Sequence, residues 1–425
     1  MSNLSSQITL NPDQEFAVKA LLDFIQDPSN SNPFFVFSGF AGTGKTSCMR
    51  EVVSRMSHSH IVCAFTAPTN KAAKVLRSVT GDASTIYSLL GLRIDKSGEL
   101  KQVVSGKPPE GLADLDVVFV DEGSMVNKNL IQVLEVYADK YGFKVIFLGD
   151  PAQLPPVGEP ESPIWKLKSD AVLTKVMRHD NQILKLVTSI REVINHPAPC
   201  ITLKSDHDAA GGVWKMTKTD FKQSIWSAAS RGEFADGQIS KVISWRNVTT
   251  EAYNALIRNA IYGAESQTNP YMPGERLVAA SPCERGDDYL LTTDEECVVS
   301  SITQCKHPIE PKYNAFELLA TSENGKVIRL LVCHPTSQAQ WQADCELLAH
   351  QAKANGKLWK MFWALKELFH DLKYAYAITA HRSQGSTYEN VWVDTGDILS
   401  NRTRKEAFQC LYVSCSRPTT KLMLA

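Results

Sequence analysis

With 425 residues, 43% of them hydrophobic and 21% charged, the chain has the composition of an ordinary folded protein and the length of about two to three domains. No apolar stretch reaches the ~18 residues of a membrane helix, and the opening MSNLSSQITLNPDQ has no basic segment leading into an apolar one. Neither a membrane span nor export is therefore expected. A net charge of −1, from 45 Lys+Arg against 46 Asp+Glu, excludes capture of a polyanion by bulk charge and leaves only local patches.

In chain order, FFVFS (34–38), IVCAF (61–65), VVFVD (117–121) and VIFLGD (145–150) are continuous apolar runs suited to strands buried on both faces. Helix-period segments separate them. The clearest, 127–141, has Asn127 as N-cap and Gly142 as C-cap. Such alternation predicts an α/β domain with a parallel sheet. RIDKSGELKQVV, within 92–116, interrupts it as a short hairpin turning at Ser97-Gly98.

A second alternating block starts with a helix over 181–195, followed by the strand VISW (242–245) and a helix over 249–262. The turn-rich TNPYMPGE (268–275) closes that stretch, and short strands over 275–333 predict a small barrel. Helical spacing returns over 336–372. YAYAI (374–378) and VWVD (391–394) then read as buried strands that complete the second α/β block around the insertion. Charge is uneven: residues 281–296 carry a net −5, 353–373 a net +3 and 399–425 a net +4. Ten cysteines lie scattered without a C-x-x-C pair, which predicts reduced thiols in a cytosolic setting rather than a zinc site.

Gly39-Phe40-Ala41-Gly42-Thr43-Gly44-Lys45-Thr46 follows a strand and opens a helix, the context of a phosphate-binding loop. Gly42, Thr43 and Gly44 bring backbone N–H groups toward phosphate oxygens, Lys45 reaches the β/γ-phosphates, and the Thr46 hydroxyl ligates Mg²⁺. Asp121-Glu122 ends the third strand, where one acid holds the metal with Thr46 and the second orients water. Gln153, in GDPAQLPPV after the fourth strand, is placed to contact the γ-phosphate and the attacking water and to report nucleotide state to a neighbour. These residues establish an ATPase or GTPase.

FAGTGKT, APTNKAAKVL, STIYSLLGL, VVFVDEGSM, FLGDPAQLPPV, LTKVMRHDNQI, ITAHRSQGSTYENV and LYVSCSRP occur in that order over nearly the whole chain. In this the sequence resembles the RecD-like branch of superfamily 1 helicases, most closely its T-even phage members. The resemblance implies two RecA-like P-loop domains, one with a β-hairpin insertion and one with an SH3-like β-barrel insertion. The corresponding boundaries are 1–180 (hairpin at about 92–113), 181–270 with 373–425, and 271–372.

By position, Gln14 matches the glutamine that reads adenine, which makes ATP the nucleotide, with Mg²⁺. Arg178 and Arg417 match the arginines that reach the γ-phosphate. Pro68, Thr69, Asn70 and Thr85 match contacts to single-stranded DNA in the first domain, and Thr379, His381 and Ser383 those in the second. Gln384 and Gly385 turn the same loop toward the ATP cleft. Trp245 either stacks on a base or packs beneath the sheet.

The chain departs from the family in three places: Thr419 stands where a second arginine is usual, Tyr87 where histidine is common, and no aromatic lies in 92–116 to stack on DNA. The implied activity is 5′-to-3′ translocation on single-stranded DNA with duplex unwinding, in a phage-type replication or recombination role. Single-stranded and forked DNA are the implied partners, with a single-strand-binding protein beside them, for a monomer in the cytoplasm (a host's, if the source is a phage). Two rival readings stay open, an ATP-switched single-strand binding module and a RecD-like subunit of a helicase–nuclease complex.

Overall fold

The computed structural model describes residues 10–28, 32–40, 42–56, 59–94, 100–102, 109, 111–175, 182–285 and 288–425. They fall into two compact units, Met1–Lys215 with Ser383–Thr387 and Thr395–Leu424, and Met216–Arg382 with Tyr388–Asp394.

In the first unit the expected strands are β1 (Phe34–Gly39), β2 (Cys63–Ala67), β6 (Val117–Val120) and β7 (Lys144–Gly149), joined by the short β3 (Ser84–Thr85) and β8 (Ala171–Leu173). Together they form a six-stranded sheet of order β3-β2-β6-β7-β1-β8, with parallel pairing throughout. Every residue of β1 and β6 is buried, because helices cover both faces of the sheet. One layer packs Phe35, Phe37, Phe119 and Leu148 against Val18, Leu21 and Met49, from α1 (Pro12–Gln26) and α2 (Lys45–Arg55). The other sets Val36, Val118, Val120 and Phe147 against Leu130 and Leu134 of the helix Lys128–Tyr141. That helix is capped as the sequence predicts: Asn127 Oδ1 accepts from Leu130 N–H, and Gly142 adopts a left-handed turn.

The strands β4 (Leu92–Ile94) and β5 (Leu100–Gln102) pair antiparallel, as the hairpin reading requires, while its Ser97-Gly98 turn lies outside the described residues. Also in this unit, Gly212–Lys215 runs parallel to Pro418–Leu424. The helix Gln182–Ile194 stands in place of the predicted 181–195.

In the second unit, Ser240–Ser244 pairs parallel with Ala377–Thr379 on one side and Tyr388–Val393 on the other. Between these strands lies a five-stranded antiparallel sheet in the order 327–333, 314–322, 296–306, 276–279 and 372–374, beside a hairpin of Cys283–Arg285 with Asp288–Leu291. Two of its strands, Glu296–Lys306 and Asn314–Ser322, run to 11 and 9 residues, longer than the turn-rich pattern implied. The helical stretch expected over 336–372 divides into Pro335–Ala354 and Trp359–Lys366, interrupted at Asn355-Gly356.

The YAYAI run splits as well. Leu372–Tyr374 belongs to the antiparallel sheet and Ala377–Thr379 to the parallel one. All ten cysteines are free, and burial pushes the thiols of Cys48, Cys283, Cys297 and Cys410 up to about 12, so they are held as packing groups rather than nucleophiles.

Candidate nucleotide site and nucleic-acid contacts

β1 hands the chain to the loop at Gly39 and α2 begins at Lys45, so the loop sits on the first turn of a helix. Gly44 is held at φ +88°, and a Cβ there would come within 2.5 Å of Gln14 Nε2. Thr43, fully buried, donates from its amide and hydroxyl to Phe40 O at 3.2 and 2.8 Å. Lys45 Nζ donates to Gly39 O at 2.5 Å and Phe40 O at 3.2 Å. Thr46 is the next residue of the helix, half-buried.

Gln14 is buried against this loop and donates from Nε2 to Thr43 O at 3.0 Å. Its Oε1 accepts from Asn11 N–H while Asn11 Oδ1 accepts from Gln14 N–H, a capping box that starts α1. One residue thus fixes both a helix start and the wall of the phosphate loop. Sequence reasoning did not single out Asn11; its signal is a side-chain oxygen three residues before a glutamine in LNPDQ.

Asp121 and Glu122 follow β6, next to β7 in the sheet. Glu122 N–H donates to Asp121 Oδ1 at 2.8 Å. Glu122 itself lies at φ +52°, a conformation that costs a non-glycine residue roughly 1–3 kcal/mol and is typical of functional sites. Burial pushes its carboxyl up to about 7, the charge of Asp121 adds to the rise, and Arg417 and Lys45 oppose it. Burial also raises Asp121, opposed by the Glu122 N–H and by Lys45. The two half-buried acids and the half-buried Thr46 hydroxyl, on the helix after the loop, are hard-oxygen donors of the kind that suits Mg²⁺.

Gln153 is buried and linked on two sides. Gln384 Nε2 donates to Gln153 Oε1 at 3.2 Å and to Ser124 Oγ at 3.1 Å, and Gln409 Nε2 donates to Gln153 O at 2.9 Å. Beneath it Asp150 Oδ2 accepts from the Tyr412 hydroxyl at 2.6 Å. Gly385, at φ +73°, leaves little room for a side chain: a Cβ would lie 3.1 Å from Ala72 Cβ, on the helix Asn70–Thr80. Arg417 is buried and donates from Nε to Val413 O at 2.9 Å and from a terminal nitrogen to Ser386 O at 3.0 Å. Arg178 lies outside the described residues. Sequence reasoning missed Ser124, Asp150, Gln409 and Tyr412. Only the flanking motifs GSM, GDP and LYVSCSRP mark them, and nothing in those letters says which side chains turn inward.

The expected DNA contacts stand at carboxyl ends of parallel strands, the edge at which α/β sheets bind ligands. In the first unit, Pro68 and Thr69 follow β2, and the Thr69 hydroxyl caps the helix begun by Asn70, accepting from Ala72 N–H at 3.2 Å. Thr85 ends β3 beside β2 and accepts from Ser88 N–H at 3.0 Å. Ser383 is fully buried. In the second unit, Thr379 ends its strand directly opposite Ser244, so Trp245 emerges beside it, half-buried. His381 follows on the one-turn helix Ala380–Ser383. Tyr87 is half-buried against the core of the first unit, with its hydroxyl raised by burial.

A strand–loop–helix phosphate cradle, with a paired acid at the end of β6 two strands away in the same sheet, defines a P-loop nucleoside triphosphatase. Residues 9–207 match the family model described as an AAA domain, and 374–425 the model of a UvrD-like helicase C-terminal domain. The chain belongs to the superfamily 1 helicases, in the group related to Dda and RecD. An uncharacterised protein of Acanthamoeba polyphaga mimivirus is 25% identical over 97% of this chain and 99% of its own. The ATP-dependent DNA helicase Dda of Enterobacteria phage T4 is 24% identical over 89% of this chain and 91% of its own. Among solved structures, the Pif1 helicase from Bacteroides with ADP-AlF3 and single-stranded DNA covers 98% of this chain and 92% of its own, at 17% identity and a TM-score of 0.54, a likeness of fold. Among the described residues, no helix is long and apolar enough to cross a membrane.

Proposed function

We propose that this chain is an ATP- and Mg²⁺-dependent DNA helicase that moves 5′ to 3′ along single-stranded DNA and separates duplex ahead of it. The hydrogen bond from Gln384 to Gln153 carries the reading furthest. It joins a loop beside the phosphate cradle to the segment that continues from Thr379 and His381, and Gly385 of that segment packs on the helix headed by Thr69 and Asn70. A change at the γ-phosphate therefore has a packed route to Thr69 and Asn70, and a route along the chain itself to His381 and Thr379.

Lys45, Arg417 and Arg178 offset the charge of the transferring phosphoryl group, and Thr46 and Asp121 would hold Mg²⁺, which neutralises phosphate charge when bound. Glu122, whose carboxyl burial raises toward the range of a general base, takes a proton from water as the water oxygen bonds to the γ-phosphorus. The bond from that phosphorus to the β,γ-bridging oxygen breaks, leaving ADP and phosphate. Thr69, Asn70, Thr85, Thr379 and His381 offer polar groups that position a phosphate backbone without reading bases, the buried Pro68 and Ser383 shape the turns that present them, and Trp245 offers a stacking face. The motor consists of RecA-like parts 1–180 and 181–270 with 373–425, while 271–372 is an SH3-like brace. It works as a monomer in the cytoplasm, with single-strand-binding protein on the same substrate.

Strand displacement on duplexes tailed at one end tests this. Unwinding with a 5′ tail and none with a 3′ tail is expected. The reverse polarity overturns the direction, and DNA-stimulated hydrolysis without displacement on either would leave an ATP-switched binding module. The hairpin should act as a steric post. Replacing Ile94–Lys101 by a short Gly/Ser turn should preserve DNA-stimulated ATPase and stop duplex separation, and normal unwinding per ATP would make the hairpin only a connection.

A further inference from the structure

Among the described residues, three ion pairs fasten the antiparallel insertion to the parallel strands and helices of its unit. Two are buried at its base. Lys241 Nζ bonds Glu296 at 2.8 Å and the carbonyl of Ala375 at 2.6 Å, and Arg258 pairs with Glu275. The third differs in where it lands. Arg382 donates from Nε to Asp294 Oδ1 at 2.6 Å, and from a terminal nitrogen to the same oxygen at 2.5 Å and to Ala279 O at 3.0 Å. Arg382 sits in sequence between His381 and Ser383, and its own N–H donates to Thr379 Oγ1 at 3.4 Å. It is also the last residue of the second unit before the chain passes into the first, which holds Gln384.

The insertion's side of this contact is stiff. Asp294 lies at φ +66°, a left-handed conformation that aspartate adopts more readily than most residues, and hydrogen bonds fix the turn around it. Its N–H donates to Ala279 O at 3.0 Å, the carbonyl that Arg382 also reaches, and Glu295 Oε2 accepts from the amide and hydroxyl of Thr292 at 2.9 and 3.1 Å. Such a turn transmits a displacement instead of absorbing it.

We propose that Arg382 and Asp294 form a latch that makes the insertion move as one piece with the strand-gripping segment Thr379–Ser383, so that each shift of grip also drives the insertion against the duplex. Arg382 is then a positioning residue for strand separation, not for hydrolysis. This rests on the helicase reading above.

Asp294→Asn is the decisive variant, because asparagine tolerates the left-handed backbone and removes only the charge. Compared with the unaltered chain, it should keep DNA-stimulated ATPase and single-strand affinity within about twofold and lower base pairs separated per ATP at least about fivefold. Arg382→Lys, which keeps the charge but loses the forked donors, should fall between. Hydrogen exchange, which needs no helicase activity, should rise in 379–383 of Asp294→Asn. Unchanged unwinding per ATP together with unchanged exchange overturns the latch. So does tighter single-strand binding by Asp294→Asn with weaker binding by Arg382→Lys, because that makes Arg382 a phosphate contact. If the unaltered chain separates no duplex, the helicase reading fails instead, and exchange in 379–383 still decides whether the latch exists.

Discussion

Lys45→Ala should reduce ATP turnover at saturating single-stranded DNA by at least about 10²–10³-fold, the usual loss when one donor to developing charge is removed. Single-strand affinity should stay within about twofold, since the expected strand contacts lie at the ends of other strands. The fold should survive. Lys45 Nζ bonds two main-chain carbonyls, of Gly39 and Phe40, but Phe40 O keeps the Thr43 amide and hydroxyl, and Gln14 still holds Thr43 O. The loss of two part-buried hydrogen bonds costs roughly 1–3 kcal/mol, a small part of a domain's stability. Steady-state ATPase, a binding titration and a melting curve on one preparation check all three statements. DNA-stimulated turnover at the normal rate would remove this loop from the chemistry.

Glu122→Gln should stop hydrolysis and, in the nucleotide-free protein, stabilise the fold. Loss of the base should lower turnover by about 10²–10⁴-fold. The stability effect follows from burial, which moves the Glu122 carboxyl from its ordinary 4.5 up to about 7. Between those values the folded chain holds a proton that the unfolded chain has released, so stability falls as pH rises through the window. Above pH 7 the whole deficit is present, on the order of 3 kcal/mol. Glutamine carries no charge and removes it. The variant should melt close to the parent at pH 5 and a few degrees higher at pH 8, as calorimetry without nucleotide or Mg²⁺ would show. An equal difference at both pH values would mean that Glu122 is not electrostatically strained in the fold.

The two substitutions differ in how readable their targets are. Lys45 stands in a local pattern whose physics is local: glycines where φ is positive, a strand before, a helix after. Glu122 is readable as a second acid after a buried strand, but its raised carboxyl is the balance of burial, Asp121 and Asp150, which push it up, against Arg417 and Lys45, which pull it down. Arg417 is 295 positions away, and no window of sequence measures that approach. The same distinction separates Gln153, singled out by its loop, from its partners Gln384 and Gln409, which only folding brings to hydrogen-bond distance.

Sequence alone determined what depends on near neighbours. Period and capping determined the parallel strands of the first 150 residues and the Asn127–Gly142 helix, the P-loop determined the nucleotide chemistry, and eight ordered motifs carried the helicase resemblance. Tertiary structure decided what depends on pairing at long range. It divided the single apolar run YAYAI between an antiparallel and a parallel sheet, because apolar residues in succession record burial but not which strand supplies the backbone partner. It made Gln14 a brace of the phosphate loop as well as a helix cap. It also joined Arg382 to Asp294 across 88 residues, where a cation in one motif and an acid in a charged run each read as a solvated surface until the chain brings them together.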